Sequence, residues 1–439
     1  MAAPGSQRRT PAPRHSRSTA PQTSQGHGTS ANGDGQQRQL QGENAPMTVE
    51  PGAATASPQL HWTGDDGQPQ QADWRSLAGH PPAQRVQLAD DRLAADAAYR
   101  LLDGGTALLW RGDYQNARHL LQALGRRLDK RLARPAAAPA TPAAAFAAQR
   151  QAQAQRARLL GGLLLPFDAD HGLPLRRAPD VRAAGAQAHG PVPAHYVQSL
   201  RELLGIVGAF EWRKKGVPVP ALGASIHPHH GVFSPVRGEY VDLVAQVPLP
   251  PAALLHGAAD IGTGTGVLAA VLARRGLRVL GTDLSAAALA CAGDNIRRLG
   301  LQRQVTLQQA NLFPTGAPGH DLTRLGLLVC NPPWVPAPAG SALEAAVYDP
   351  DSRMLRGFLA GLAPHLAPGG EGWLILSDLA EHLGLRPRER LLGWIAEAGL
   401  QVLGRHDTKP RHARALDATD PLHAARAAEL TSLWRLGAA

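Results

Sequence analysis

Asp260-Ile261-Gly262-Thr263-Gly264-Thr265-Gly266 and, further on, Asn331-Pro332-Pro333-Trp334 decide how this chain folds. The first stretch closes an apolar run that reads as a strand over 255 to 261 and opens a helix over 265 to 275. Glycines at alternate positions let the backbone turn sharply and approach a ligand where a Cβ would clash, at the positive end of the following helix. The spacing is GxGxG, and Val267 stands where a GxGxxG dinucleotide fingerprint needs its third glycine, which argues against a nicotinamide cofactor. Such a loop can seat a carboxylate and a nucleoside. Asp260 stands just before it, and Asp283 ends the next strand, where one carboxylate can accept both hydroxyls of a ribose. Alone, Asp283 reads as a helix N-cap; with the loop it reads as a ligand contact.

Around these motifs the elements alternate. Strands are expected at 255–261, 277–282, 304–309, 325–330, 371–377, 400–405 and Leu430 to Leu436, and helices at 265–275, 285–299, 352–366 and 388–398. Regular alternation demands a mostly parallel α/β sheet with helices on both faces. Upstream, helical spacing from Val86 to Leu102 and from Tyr114 to Leu132 flanks a strand-like Ala107-Leu108-Leu109-Trp110. Further helices are expected over 146 to 160 and from Tyr196 to Phe210. The domain reading is a disordered tail over 1–57, a mainly helical accessory domain over 58–225 with a low-complexity insertion at 135–145, and a catalytic domain over 226–439. Residues 1–57 hold too few aliphatic side chains to offset chain entropy. Met47 is a candidate initiator.

Bulk properties bound the function. The chain has 439 residues, 44% of them apolar, enough for a large core. No stretch approaches the roughly 20 apolar residues that cross a bilayer, and no signal core is present, so a cytoplasmic protein is expected. Cys291 and Cys330 are the two cysteines, which excludes a disulfide framework and a four-cysteine zinc site. The net charge of +10 lies in the upstream half and is almost all arginine, since the lysines are Lys130, Lys214, Lys215 and Lys409. This asymmetry is read equally as an RNA footprint and as compositional bias. His227, His229 and His230 read as a polar loop rather than a metal site, and no metal is expected. The segment from Arg405 to Arg426, with Lys409, Arg411, His412 and Arg414, is either a phosphate contact or a solvated loop.

Residues 226 to about 405 resemble the methyltransferase small-domain family of class I S-adenosylmethionine-dependent methyltransferases. That family includes ribosomal RNA guanine N2-methyltransferases and release-factor glutamine methyltransferases. The resemblance is carried by Gly231-Val232-Phe233-Ser234-Pro235, the loop Asp260 to Gly266, Asp283, and Asn331 to Trp334. It implies a Rossmann-like seven-stranded sheet whose last strand is antiparallel to the rest, and S-adenosyl-L-methionine as methyl donor. Asp260, Gly262, Gly264, Gly266 and Asp283 would hold the donor. Asn311 would accept from the adenine amino group, where relatives usually carry an acid. Phe233 and the Gly238-Glu239-Tyr240 turn would either cover the donor or pack as ordinary core.

Asn331, Pro332 and Trp334 are then the catalytic residues. A planar nitrogen is a poor nucleophile because its lone pair is delocalised. The Asn331 side-chain oxygen and the Pro332 carbonyl can each accept one of its N–H groups and hold it in line with the methyl group. Proline supplies no competing N–H. Trp334 would stack on the flat acceptor; RNA guanine enzymes have Phe here and glutamine enzymes Tyr. The expected activity is N-methyl transfer to an amino or amide nitrogen, on RNA or a translation protein. DNA adenine or a small molecule is the alternative acceptor, and a non-catalytic RNA-binding module is the alternative without turnover. The sequence leaves the oligomeric state open.

Overall fold

A computed structural model describes residues 57–132, 139–235, 238–314, 324–410 and 417–439. The expected tail, with Met47, lies outside the described residues, apart from Ser57. So do 135–138 of the insertion and Arg411, His412 and Arg414 of the basic segment. Residues 56–439 form one unit.

The downstream sheet follows the expected alternation closely. Its strands are β9 (Ala258–Ile261), β10 (Val279–Asp283), β11 (Val305–Gln309), β12 (Leu325–Cys330), β13 (Leu366–Ser377), β14 (Leu400–Thr408) and β15 (Thr431–Ala438), in the spatial order β11-β10-β9-β12-β13-β15-β14. All neighbours from β11 to β13 pair in parallel, whereas β15 runs antiparallel to both β13 and β14. The helices between them are α8 (Val267–Arg274), α9 (Ala286–Arg298), α10 (Ala342–Ala345), α11 (Arg353–His365), α12 (Leu379–His382), α13 (Arg388–Glu397) and α14 (His423–Ala428). The short helices α6 (Glu239–Gln246) and α7 (Pro251–His256) lead into β9.

Composition explains this layering. Every residue of β12, Leu-Gly-Leu-Leu-Val-Cys, is buried, as a central parallel strand covered on both faces must be. Gly326 is required there because a Cβ would lie 2.0 Å from the Ala252 carbonyl oxygen of α7. Seven of the eight residues of α8 are buried, so this helix lies inside the domain rather than on its surface. One large cluster joins α8 to Val279, Leu327, Val329, Trp373, Ile375 and Leu433. A second, on the other face, joins Ile261, Leu328, Leu374 and Leu436 to Leu355, Phe358 and Leu362 of α11. Each such leucine contributes about 1.5–3 kcal/mol on full burial.

Upstream, helices supply most of the regular residues, as expected. They are α1 (Ala95–Asp103), α2 (Tyr114–Leu132), α3 (Pro142–Gly161), α4 (Arg182–His189) and α5 (Leu200–Lys215). They lie on a sheet that the sequence reading did not anticipate: β1 (Gln59–Thr63), β2 (Pro69–Trp74), β3 (Val86–Ala89), β4 (Ala107–Trp110), β5 (Leu163–Phe167) and β6 (Tyr196–Ser199), ordered β1-β2-β6-β5-β4-β3. Two expected helices are therefore corrected at their starts. Val86–Ala89 pairs in parallel with β4, and Tyr196–Ser199 pairs with β2 and β5. Tyr196 and Val197 are strand formers with side chains alternating across the sheet. The helix begins only where the Ser199 hydroxyl caps it by accepting from Arg201 N (3.2 Å). Likewise the insertion ends at Thr141, which caps α3 by accepting from Ala144 N (3.2 Å), with Pro142 opening the helix. A hairpin of β7 (Val217–Val219) and β8 (Ala224–Ile226) joins the two sheets.

Candidate active site

β9 and β12 pair with Cys330 opposite Ile261. Gly262 and Asn331 therefore leave neighbouring strand ends, strands being about 5 Å apart in the hydrogen-bonding direction. Here the strand order reverses: the chain steps from β9 through β10 to β11 on one side, then returns to β12 and β13 on the other. Open α/β sheets bind ligands in the crevice beyond the carboxyl ends of the strands at such a point. The two sequence motifs thus leave adjacent strands side by side at this end of the sheet.

The three loop glycines have φ of +73°, +55° and +78°, the left-handed region in which an L side chain is strained. Their surroundings differ. A Cβ on Gly262 would lie 2.5 Å from Met354 Cε, and one on Gly266 would lie 3.1 Å from Ala292 Cβ. A Cβ on Gly264 would meet only the Gly262 carbonyl oxygen, at 4.0 Å. The bare face of Gly264 opens onto free space that a side chain would fill, so the loop has the form of a cradle for a ligand.

Asp260 is 1% exposed. Its Oδ2 accepts from Thr263 Oγ1 (2.7 Å) and Ala269 N (3.0 Å), which ties the loop to the first turn of α8. Burial pushes its carboxyl up to about 6 against these two bonds, and the charge of Asp283 adds to the rise. Asp260 thus braces the cradle from behind. Asp283 accepts from Gly264 N (3.0 Å) through Oδ2 and from Ser285 N (2.9 Å) through Oδ1. Each of these oxygens has a second lone pair to offer a ligand hydroxyl. Ala310 N donates to the Asp283 carbonyl (3.1 Å), which brings the exposed Asn311 beside this strand end.

The tetrapeptide Asn331 to Trp334 holds a contact absent from the sequence reading. Trp334 Nε1 donates to Asn331 Oδ1 at 2.8 Å. This fixes which way the Asn331 amide points and leaves the second lone pair of Oδ1 for another donor. The half-buried indole also meets the Tyr240 ring edge-on, with centroids 6.5 Å apart and planes at 89°. Tyr240, from the turn read either as covering the donor or as ordinary core, is buried in the core beside α8, while Phe233 of the same region is half-buried.

Beyond Trp334 the chain makes an excursion that returns to its start: Val335 N donates to Val347 O (3.3 Å) and Asp349 N to Val335 O (2.9 Å). Asp349 accepts from Met354 N (2.9 Å) and Leu355 N (3.3 Å) at the start of α11, and burial raises its carboxyl despite these bonds. Asp351 and Ser352 have φ of +58° and +53°, strained for side-chain-bearing residues by about 1–3 kcal/mol each. Arg386, 2% exposed, spans this region by donating to the Trp334 carbonyl and to Ser352 Oγ, both at 3.2 Å. Sequence reasoning missed Arg386 and Asp349, because a lone Arg before Pro387 gives no signal that it is buried.

The histidines separate. His227 Nδ1 faces Arg213 O (2.6 Å), and His229 Nε2 faces Asp294 Oδ2 (2.9 Å), a carboxylate shared with Arg213 and Arg297. Among the described residues no group of three or more His, Cys, Asp or Glu is placed to hold a metal. In the basic segment, Arg405 pairs with Asp407 and Arg426 with Asp420, while Lys409 is exposed. No helix among the described residues is long and apolar enough to cross a membrane.

The strand order, the antiparallel β15 and the glycine loop at the switch point define a class I methyltransferase fold. Residues 223–386 match the family model of the methyltransferase small domain. A release factor glutamine methyltransferase of Moorella thermoacetica is 42% identical over 120 residues, covering 26% of this chain and 41% of the relative. A ribosomal protein uL3 glutamine methyltransferase of Bordetella pertussis is 42% identical over 81 residues, covering 18% and 26%. The chain thus spans less than half the length of either relative. Among solved structures, a geranyl diphosphate C-methyltransferase from Streptomyces coelicolor A3(2) is similar with a TM-score of 0.33 and 16% identity, covering 46% of this chain and 77% of that one.

Proposed function

We propose that this protein transfers the methyl group of S-adenosyl-L-methionine to the side-chain amide nitrogen of a glutamine in a translation protein. The observation that carries the reading is the placement of Asn331 one strand away from the open glycine cradle. Gly262, Gly264 and Gly266 would admit the donor, Asp283 would accept from its ribose and Asn311 from its adenine. When bound, the donor supplies an electrophilic methyl group and leaves as a neutral thioether. The protein's own residues supply orientation. Asn331 Oδ1, held by the Trp334 indole, accepts one N–H of the acceptor, and the Pro332 carbonyl accepts the other. These bonds localise the nitrogen lone pair along the line of attack, so that one C–S bond breaks as one C–N bond forms. The nitrogen then releases one proton to water, and no general base is needed before attack.

The acceptor class is supported by the relatives, which are named for methylating glutamine in a release factor and in ribosomal protein uL3. Such an acceptor also implies a cytoplasmic site of action. The test is incubation with methyl-labelled donor and, separately, purified bacterial release factor, ribosomes, protein-free RNA and DNA. Label on a glutamine of a protein fraction is the expected result. Label confined to RNA or DNA overturns the acceptor and favours the nucleic-acid alternatives. Absence of label everywhere, with donor binding intact, favours a binding module.

A further inference from the structure

We infer that Arg150, on α3 of the upstream sheet, is a positioning residue for the acceptor side of this site. It acts by holding the 335–349 excursion that begins directly after Trp334. The inference rests on the methyl-transfer reading and gives the upstream sheet a part in it.

The contacts converge on one guanidinium. Arg150 Nη1 and Nη2 donate to Glu344 Oε1 and Oε2, each at 3.1 Å, and Nη2 also donates to the Pro338 carbonyl at 2.8 Å. The guanidinium carbon lies 4.1 Å from the centre of the Tyr348 ring. A single exposed ion pair is worth little. Here the two side chains are 22% and 38% exposed, and the fork, the carbonyl and the ring all use the same planar group. Only arginine offers that combination; a lysine presents one point charge.

The rest of the helix face supports the same purpose. Phe146, one turn earlier, lies on the same side of α3 and packs with Val335 and Ala337, its ring 6.2 Å from that of Tyr348. Gln149, between them, donates to Asp420 Oδ1 at 3.4 Å. Glu344 in turn accepts from Gly340 N at 2.8 Å, so the carboxylate gripped by Arg150 also shapes the tip of the excursion. Tyr348 pairs with Val335 in an isolated bridge. The chain of contacts therefore runs from Arg150 through Tyr348 and Val335 to Trp334, whose indole holds the Asn331 amide. The glycine cradle is braced separately by Asp260 and Asp283.

The test uses the full chain with R150M, which keeps the aliphatic reach, and R150K, which keeps the charge. Hydrogen–deuterium exchange is followed at the amides of 335–349 and of 262–269. S-adenosylhomocysteine binding and methyl transfer to purified bacterial release factor are measured in parallel. R150M is expected to raise exchange over 335–349 by at least about tenfold, the equivalent of one weak charged hydrogen bond. Exchange at 262–269 and S-adenosylhomocysteine affinity stay unchanged, the KM for the acceptor rises more than kcat falls, and R150K is intermediate. Wild-type exchange over 335–349 in R150M overturns the inference. So does a rise spread over the whole sheet, which marks a structural role only. If the wild-type protein leaves release factor unlabelled, the proposed acceptor fails, and the exchange measurement alone decides on Arg150.

Discussion

Replacing Gly264 by alanine separates a ligand cradle from a mere tight turn. With φ of +55°, alanine there bears a left-handed penalty of about 1–2 kcal/mol. Its Cβ meets no protein atom closer than 4.0 Å. For a domain of this size each kcal/mol lowers Tm by about 2–4 °C, so G264A is expected to melt only slightly below wild type. The same methyl group would occupy space that the proposed function assigns to the donor. An intruding methyl in a packed site costs about 1–3 kcal/mol, or about 5- to 150-fold in Kd. G266A reverses the balance. Its φ is +78°, and its Cβ would lie 3.1 Å and 3.2 Å from Cβ and Cα of Ala292 on α9. Strain and overpacking together put its stability loss at about 2–5 kcal/mol. Calorimetric titration with S-adenosylhomocysteine, paired with thermal melts, reads both quantities. G264A binding within about twofold of wild type refutes the cradle.

Asn331→Ala removes the side-chain acceptor and is expected to lower kcat by about 10²- to 10³-fold while S-adenosylhomocysteine binds as before; a wild-type rate ends the catalytic assignment. Trp334→Phe keeps an aromatic ring but loses the indole N–H that orients Asn331. Its kcat should fall by about tenfold, the worth of one hydrogen bond, and an unchanged kcat would show that the ring alone matters. Asp260→Asn tests the buried carboxyl. Its pKa is raised in the folded state to about 6, so the fold favours the protonated form. Its contribution to stability is greatest below about pH 4 and is lost as pH rises to about 6. Measured by urea unfolding, the stability of D260N relative to wild type should grow by about 3 kcal/mol across that window and then level off. A flat difference refutes the shift.

The sequence made the downstream sheet legible because its strands are apolar runs cut by turn residues. The run 325–330 is bounded where the structure bounds β12, and the glycines fall at the strand-to-helix turn that requires them. The upstream sheet was harder to read because its strands are short. Val86–Ala89 and Tyr196–Ser199 run into helices with little or no break, so a helical spacing absorbs them. Within the candidate site, the residues proposed to act could be picked out from the sequence, but their side-chain contacts could not. The Trp334 to Asn331 bond depends on the local backbone conformation after β12, while the burial of Arg386 and the reach of Arg150 to Glu344 depend on how distant segments pack. Stacking by Trp334 was an expectation from residue type alone, whereas its hydrogen bond to Asn331 emerges only from the folded backbone.

The antiparallel strand β15 lies between β13 and β14, with Leu433 and Leu436 wholly buried. A chain lacking β15 would leave β13 as the edge of the sheet and β14 without a strand to pair with, since β15 is the neighbour of both. The sheet is complete only with residues 431–438 inserted between them, so it depends on the strand that comes last of its seven in the chain. Without that strand the β13 edge would be open to other extended segments, including copies of the same chain.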